Sequence, residues 1–122
     1  MTKSILIVDD SESLRQVAGI VLRRQGYDVI EARDGSDAIA KLSGRKIHLI
    51  ISDVNMPVMD GMAFMKEIKR QANHRFTPII MLTTSSGEAE RQEARAAGVK
   101  AWMVKPFDRD KLVEMVSRFV LP

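Results

Sequence analysis

Residues 49–61 read LIISDVNMPVMDG, an apolar run that drives straight into Asp53, with Pro57 and Gly61 breaking the backbone within the next eight positions. A run this short, without polar alternation and followed by turn residues, reads as a strand buried on both faces. Residues 5–10, ILIVDD, do almost the same: Ile5–Val8 is wholly apolar and ends on Asp9 and Asp10. Two buried strands that each deliver carboxylates at their end govern the rest of the reading.

Around them, helical patterns alternate with further short apolar runs. From Ser11 to Gln25, Leu14, Val17, Ala18, Val21 and Leu22 recur at helical spacing, and Arg15, Gln16, Arg23 and Arg24 are expected to face away. Gly26 ends that helix. Val29–Ala32 is a second strand, mixed enough for a sheet edge, and Asp34 caps a helix burying Ala38, Ile39 and Leu42. Ile47–Ser52 is the third strand, and a helix over 61–71 buries Phe64, Met65 and Ile68. Pro78–Leu82 is the fourth. The helix expected over 87–97 has little apolar bulk and is held loosely. Ala101–Val104 is the fifth strand, and Asp108 caps a last helix burying Leu112, Val116, Phe119 and Val120.

Five strands alternating with five helices imply an α/β fold, a doubly wound, five-stranded parallel sheet covered by helices on both faces. Right-handed crossovers place every strand-to-helix loop on one edge, and sites in such sheets form there, where strand order reverses. The 122 residues suffice for a single domain spanning 1–122.

Composition narrows the classes. The absence of cysteine removes disulfides and thiolate metal sites and fits a reducing compartment. No run of about 18 apolar residues offers a membrane span, and MTKSILIVDD lacks the shape of a signal peptide. A cytoplasmic monomer without membrane attachment is expected. The net charge of +3 is modest, and its scattered lysines and arginines have no interleaved aromatics, so no nucleic-acid partner is expected. His48 and His74 lack ligand spacing. Met56, Met59, Met62 and Met65 recur every third residue and are read as loop and core packing.

The strand ends carry the chemistry. Strand one ends in Asp9-Asp10, strand three in Asp53, strand four in Thr83-Thr84 and strand five in Lys105-Pro106. If the strand order is 2-1-3-4-5, three carboxylates, a hydroxyl and an ammonium converge on one patch. Two carboxylates about 4 Å apart repel by roughly 4 kcal/mol at an effective dielectric near 20. Lys105 offsets only one of the three charges, so a cation or protonation must relieve the rest. Hard oxygen donors select Mg²⁺, for which Mn²⁺ can substitute, and such an ion completes its shell with waters and phosphate oxygens. An aspartate there can act as nucleophile and become an aspartyl phosphate, with the lysine and hydroxyl sharing the transferring group's oxygens. Asp53, on the central strand, suits the acceptor role; Asp9 and Asp10 suit metal binding. Each feature alone has a bland reading, as helix cap, turn residue, backbone partner or surface charge. Their conjunction at four strand ends points to function.

ILIVDDS (5–11), LIISDVNMPVMDG (49–61), PIIMLTT (78–84) and AAGVKAWMVKPF (96–107) together resemble the receiver domain of bacterial two-component response regulators, in its single-domain chemotaxis (CheY) type. The resemblance covers essentially the whole chain. It implies the flavodoxin/CheY-like strand order 2-1-3-4-5, a histidine kinase that donates its phosphoryl group to Asp53, and Mg²⁺. It also implies a phosphoacceptor that catalyses only its own phosphorylation and dephosphorylation. It assigns Asp10 and Asp53 as side-chain metal ligands, the backbone carbonyl of Asn55 as a third, and Asp9 as support through water. Thr83 and Lys105 would hold phosphoryl oxygens, with the Lys105-Pro106 bond cis. Pro57 would set a rigid turn, and Gly61 would let the loop bend into its helix.

Switching in that family draws the threonine toward the phosphate while an aromatic on strand five turns inward. Here Thr83 and Trp102 take those places, where tyrosine is more usual, and a face of helix four, strand five and helix five would meet a downstream protein, flagellar switch or other effector, or a phosphatase. That face carries Glu88, Arg91 and Met115, a departure that leaves the motor open as a target; Asn55 and Ser85 would tune phosphoryl lifetime. With no DNA-binding segment after Pro122, output through protein contacts is expected. Three rivals remain: a phosphate sink or relay receiver without a motor target, a receiver that no longer takes phosphate, and a haloacid-dehalogenase-type phosphatase. The last needs a second aspartate where Asn55 stands.

Overall fold

The computed structural model describes residues 2–54, 61–84, 88–96 and 98–122. Its elements are β1 Ser4–Val8, α1 Glu12–Arg24, β2 Asp28–Ala32, α2 Gly35–Leu42, β3 Leu49–Asp53, α3 Gly61–Arg70, β4 Ile79–Thr83, α4 Glu88–Ala96, β5 Ala101–Val104 and α5 Arg109–Ser117. The strands form one parallel sheet in the order β2-β1-β3-β4-β5, as expected.

Double winding follows from strands that are apolar on both faces. Leu6, Val8, Ile50, Ile79 and Met81 pack with Ala38 and Leu42 of α2, Phe64, Met65 and Ile68 of α3, and Ala94 of α4. Their neighbours along the strands, Ile5, Ile7, Leu49, Ile51, Ile80 and Leu82, pack with Ala18 and Leu22 of α1 and Leu112 and Val116 of α5. Each residue along a strand thus alternates between two cores. Asp34 caps α2 by accepting from the Asp37 amide (2.7 Å), and Asp108 caps α5 through Lys111 (2.7 Å). Gly26, at φ +101°, turns the chain out of α1 in a conformation that favours glycine. Among the described side chains of α4, only Ala94 is buried.

Four details depart from expectation. β3 and β4 each begin and end later than their apolar runs, at Leu49–Asp53 and Ile79–Thr83. The register fixes this: Leu49 pairs with Ile5, and Asp53 with Leu82, so Asp53 is a strand residue rather than a loop residue. In α1, Val17 is 62% exposed, because the buried face runs through Ala18, Gly19 and Leu22. On that helix Arg15 and Arg23 do not face away; both reach back to Glu31 of β2. Phe119 and Val120 pack on the core from beyond the end of α5, where the Val120 carbonyl accepts from the Tyr27 hydroxyl.

At the opposite edge from the strand C-termini, the Ser4 amide donates to His48 Nδ1 (3.0 Å), a contact only the neutral ring offers. Burial, then the charges of Lys3 and Lys46, hold the His48 pKa below the ordinary histidine value. A depressed histidine pKa contributes stability above the unfolded value of about 6.5, lost as pH falls through the folded value. Urea unfolding of His48→Gln is therefore expected to show a shallower loss of stability between pH 7 and 5 than wild type.

Candidate functional site

Asp9 follows β1 and is fully buried (0% exposed). Its amide extends the ladder to β2, donating to the Ala32 carbonyl (3.1 Å). Its Oδ1 accepts from the Ser11 amide (2.9 Å), its Oδ2 from Lys105 Nζ (2.7 Å) and its main-chain oxygen from the Arg15 guanidinium (2.7 Å). Ser11, not an aspartate, caps α1, its Oγ accepting from the Leu14 amide (3.2 Å). The helix-cap reading of Asp9-Asp10 is therefore not what the chain uses.

Ile7 pairs with Ile51 and Val8 with Ser52, so the register carries Asp9 alongside Asp53. Asp53 is 5% exposed, and its Oδ1 lies 3.4 Å from Lys105 Nζ. Asp10 is exposed beside them. One carboxylate oxygen from each of Asp9, Asp10 and Asp53 falls within 4.8 Å of the others. Thr83 ends β4 one position beyond Leu82, the partner of Asp53, and is buried. Its carbonyl accepts from the Lys105 amide (2.6 Å), and the Lys105–Pro106 peptide bond is cis.

Three carboxylates against one ammonium leave two negative charges in excess within this cluster. Burial pushes the Lys105 ammonium toward deprotonation, but the hydrogen bond and charge of Asp9, with Asp53 behind it, outweigh that and hold its pKa above the ordinary lysine value. The lysine therefore stays charged at neutral pH. The excess matches a divalent cation. Octahedral Mg²⁺, with ligands at about 2.1 Å, places opposite oxygens roughly 4.2 Å apart. Oxygens within 4.8 Å of one another exceed that span by at most about 0.6 Å, and all the donors are hard oxygens. The residues present fit such an ion.

The structure therefore brings together Asp9, Asp10, Asp53, Thr83 and Lys105. Trp102 lies apart, paired with Met81 two positions short of Thr83, and is half-buried against the core that holds Ala94 and Val99. Its Nε1 is buried without a hydrogen-bond partner among the described residues. Asn55, Met56, Pro57, Met59 and Ser85 lie outside the described residues, as do the side chains of Met62, Glu88 and Arg91. Met65 is buried in the core. Sequence spacing missed Arg15 and Ser11, both bonded to Asp9; a serine three residues before Leu14 at a helix start was the available signal for the second. Beside the cluster a groove of about 520 Å³ runs between α1 and α5, lined by Leu14, Val17, Lys105, Phe107 and Leu112 among others.

Residues 5–117 match the family described as the response regulator receiver domain. The chain is 40% identical over 115 residues to the chemotaxis protein CheY1 of Helicobacter pylori, covering 93% of each. Its fold superposes on the Vibrio cholerae chemotaxis protein CheY4 with a TM-score of 0.95 and 42% identity, covering 98% of this chain and 100% of that one. The receiver domain of the Pseudomonas aeruginosa sensor histidine kinase PA1611, solved with a magnesium ion coordinated in its active-site cleft, matches at a TM-score of 0.87 and 32% identity over 98% of both chains. With the family matched over nearly the whole chain and these relatives aligned end to end, this protein belongs to the response regulator receiver domain family.

Proposed function

We propose that this chain is a stand-alone two-component response regulator that accepts a phosphoryl group on Asp53 from a histidine kinase, in the presence of Mg²⁺, and then controls a protein partner in chemosensory signalling. The observation that carries the reading is the Lys105 ammonium set between two buried carboxylates, 2.7 Å from Asp9 and 3.4 Å from Asp53, in a cluster with Asp10. A site with that charge excess suits a reaction in which a cation and an anionic phosphoryl group arrive together. The chemotaxis names of the similar CheY1 and CheY4 proteins support the signalling context.

Asp53 supplies the attacking oxygen; an O–P bond forms as the P–N bond to the donor histidine breaks. Asp10 and Asp53, with the Asn55 carbonyl, would hold the ion, and Asp9 would support it through water. Bound Mg²⁺ supplies neutralisation of the phosphoryl oxygens. Lys105 exchanges its contact with Asp9 for a phosphoryl oxygen, and the Thr83 hydroxyl takes another. The apolar groove between α1 and α5 opens beside Lys105, where a donor surface would seat. The chain would catalyse only its own phosphorylation and dephosphorylation, and the phosphorylated aspartate is its output.

Phosphorylation reaches the partner face through packing. Thr83 and Met81 share one face of β4, and Met81 pairs with Trp102. Movement of Thr83 toward the phosphoryl group would open space that Trp102 fills, shifting the population between two packings. Trp102 emission is expected to change when beryllofluoride and Mg²⁺ are added together, and unchanged emission would count against this switch. Incubation with acetyl phosphate and Mg²⁺, followed by peptide mapping, tests the acceptor: the added mass belongs on the peptide containing Asp53.

A further inference from the structure

We infer that Arg15 is a positioning residue for metal binding: its guanidinium fixes the peptide between Asp9 and Asp10, and Glu31 on β2 holds the guanidinium in place. This rests on the reading of Asp10 as a metal ligand. Asp10 is exposed, and among the described residues no hydrogen bond or ion pair restrains its carboxylate. Its position therefore comes from its backbone. The amide plane it shares with Asp9 is rigid, so whatever holds the Asp9 carbonyl oxygen orients the Asp10 amide as well. That oxygen accepts a charge-assisted hydrogen bond from Arg15 (2.7 Å).

Arg15 is in turn held. Its side chain is 15% exposed, and its Nε lies 3.4 Å from Glu31 Oε1. That nitrogen is buried without a hydrogen bond among the described residues, so Glu31 steers Arg15 by charge rather than by a bond. Glu31 is braced from its other side by Arg23 (3.7 Å), which also donates to the Val29 carbonyl (3.2 Å). Arg15, Gly19 and Arg23 form one line along α1. A Cβ on Gly19 would sit 3.0 Å from the Arg23 guanidinium and 3.7 Å from Glu31, so the glycine leaves the pair its room. The line runs from the β2 edge of the sheet to the Asp9-Asp10 peptide, and none of its side chains is among the proposed metal ligands.

Charge and positioning predict opposite signs. Removing a cation near a divalent-metal site should tighten Mg²⁺ by Coulomb's law alone; loss of positioning should weaken it. Calorimetric titration of Mg²⁺ into Arg15→Met is expected to show roughly tenfold weaker binding, as for other residues that orient ligands from outside the coordination shell. Arg15→Lys should recover part of this, Glu31→Gln should weaken binding by a smaller factor, and Arg24→Met, an exposed charge off the line, should match wild type. The Asp10 amide resonance should move in metal-free Arg15→Met while that of Asp53 stays. Wild-type or tighter affinity in Arg15→Met overturns the inference; if Arg15→Met does not fold, Arg15→Lys, which keeps the charge but not the guanidinium, decides it alone. A wild-type protein that binds no Mg²⁺ overturns the metal reading itself, whereas binding lost in Asp10→Ala but kept in Arg15→Met overturns the positioning role only.

Discussion

Asp53→Asn should take no phosphoryl group from acetyl phosphate or from a phosphorylated histidine kinase, while folding as well as wild type. An amide is not a nucleophile under these conditions, so labelling should fall to background. The substitution keeps the shape of a side chain that is 5% exposed on the central strand. Lys105 keeps its 2.7 Å contact with Asp9, so no buried ammonium is stranded. The change removes one of three crowded carboxylates, and the metal-free protein should lose no stability. Intact-mass measurement after labelling checks the first statement and urea unfolding the second. Label appearing on the Asp9-Asp10 peptide of the variant would mean that those acids, not Asp53, are the acceptors.

What was legible in the sequence was whatever a strand or a cap states locally. Apolar runs without alternation announced strands buried on both faces, and Asp9, Asp53, Thr83 and Lys105 could be read at their ends because a strand delivers its last residue to the sheet edge. That these ends are neighbours depends on strand order, which periodicity does not state; the family resemblance supplied it. Spacing reads where Cβ points, not where a long side chain goes. Arg15 leaves α1 off its apolar stripe, yet its guanidinium swings back to the Asp9 carbonyl, and the countercharge that draws it, Glu31, is sixteen residues away on another element. Val17 failed for a related reason. The apolar stripe of α1 is wider than the surface it covers, and the residues beside the α1–α5 groove stay open. Lys105 was set against three carboxylates and given a phosphoryl oxygen from its strand end and its chemistry; which carboxylates it pairs with, Asp9 and Asp53, appears only once three strands are assembled.

Asp10→Asn should reverse the order of stabilities with and without Mg²⁺. Carboxylate oxygens of Asp9, Asp10 and Asp53 lie within 4.8 Å of one another. At an effective dielectric near 20 one such pair repels by roughly 3 kcal/mol. Lys105 sits on Asp9 and Asp53 rather than on Asp10, and Asp10 is open to solvent, which screens its share to about 1 kcal/mol. Neutralising Asp10 is therefore expected to raise the metal-free unfolding free energy by about 1 kcal/mol. In wild type, Mg²⁺ at 100 times its dissociation constant adds about 2.7 kcal/mol, because the folded state binds it and the unfolded chain does not. Without the Asp10 ligand that increment should largely vanish. Urea midpoints should thus place the variant above wild type in chelator and below it in saturating Mg²⁺. A variant no more stable than wild type in chelator would mean that the carboxylates do not strain the metal-free fold, and one stabilised by Mg²⁺ as much as wild type would remove Asp10 from the ligand set. Such a crossing would tie site to fold: the acids proposed to hold a cation and a phosphoryl group at this sheet edge would also make it less stable without them.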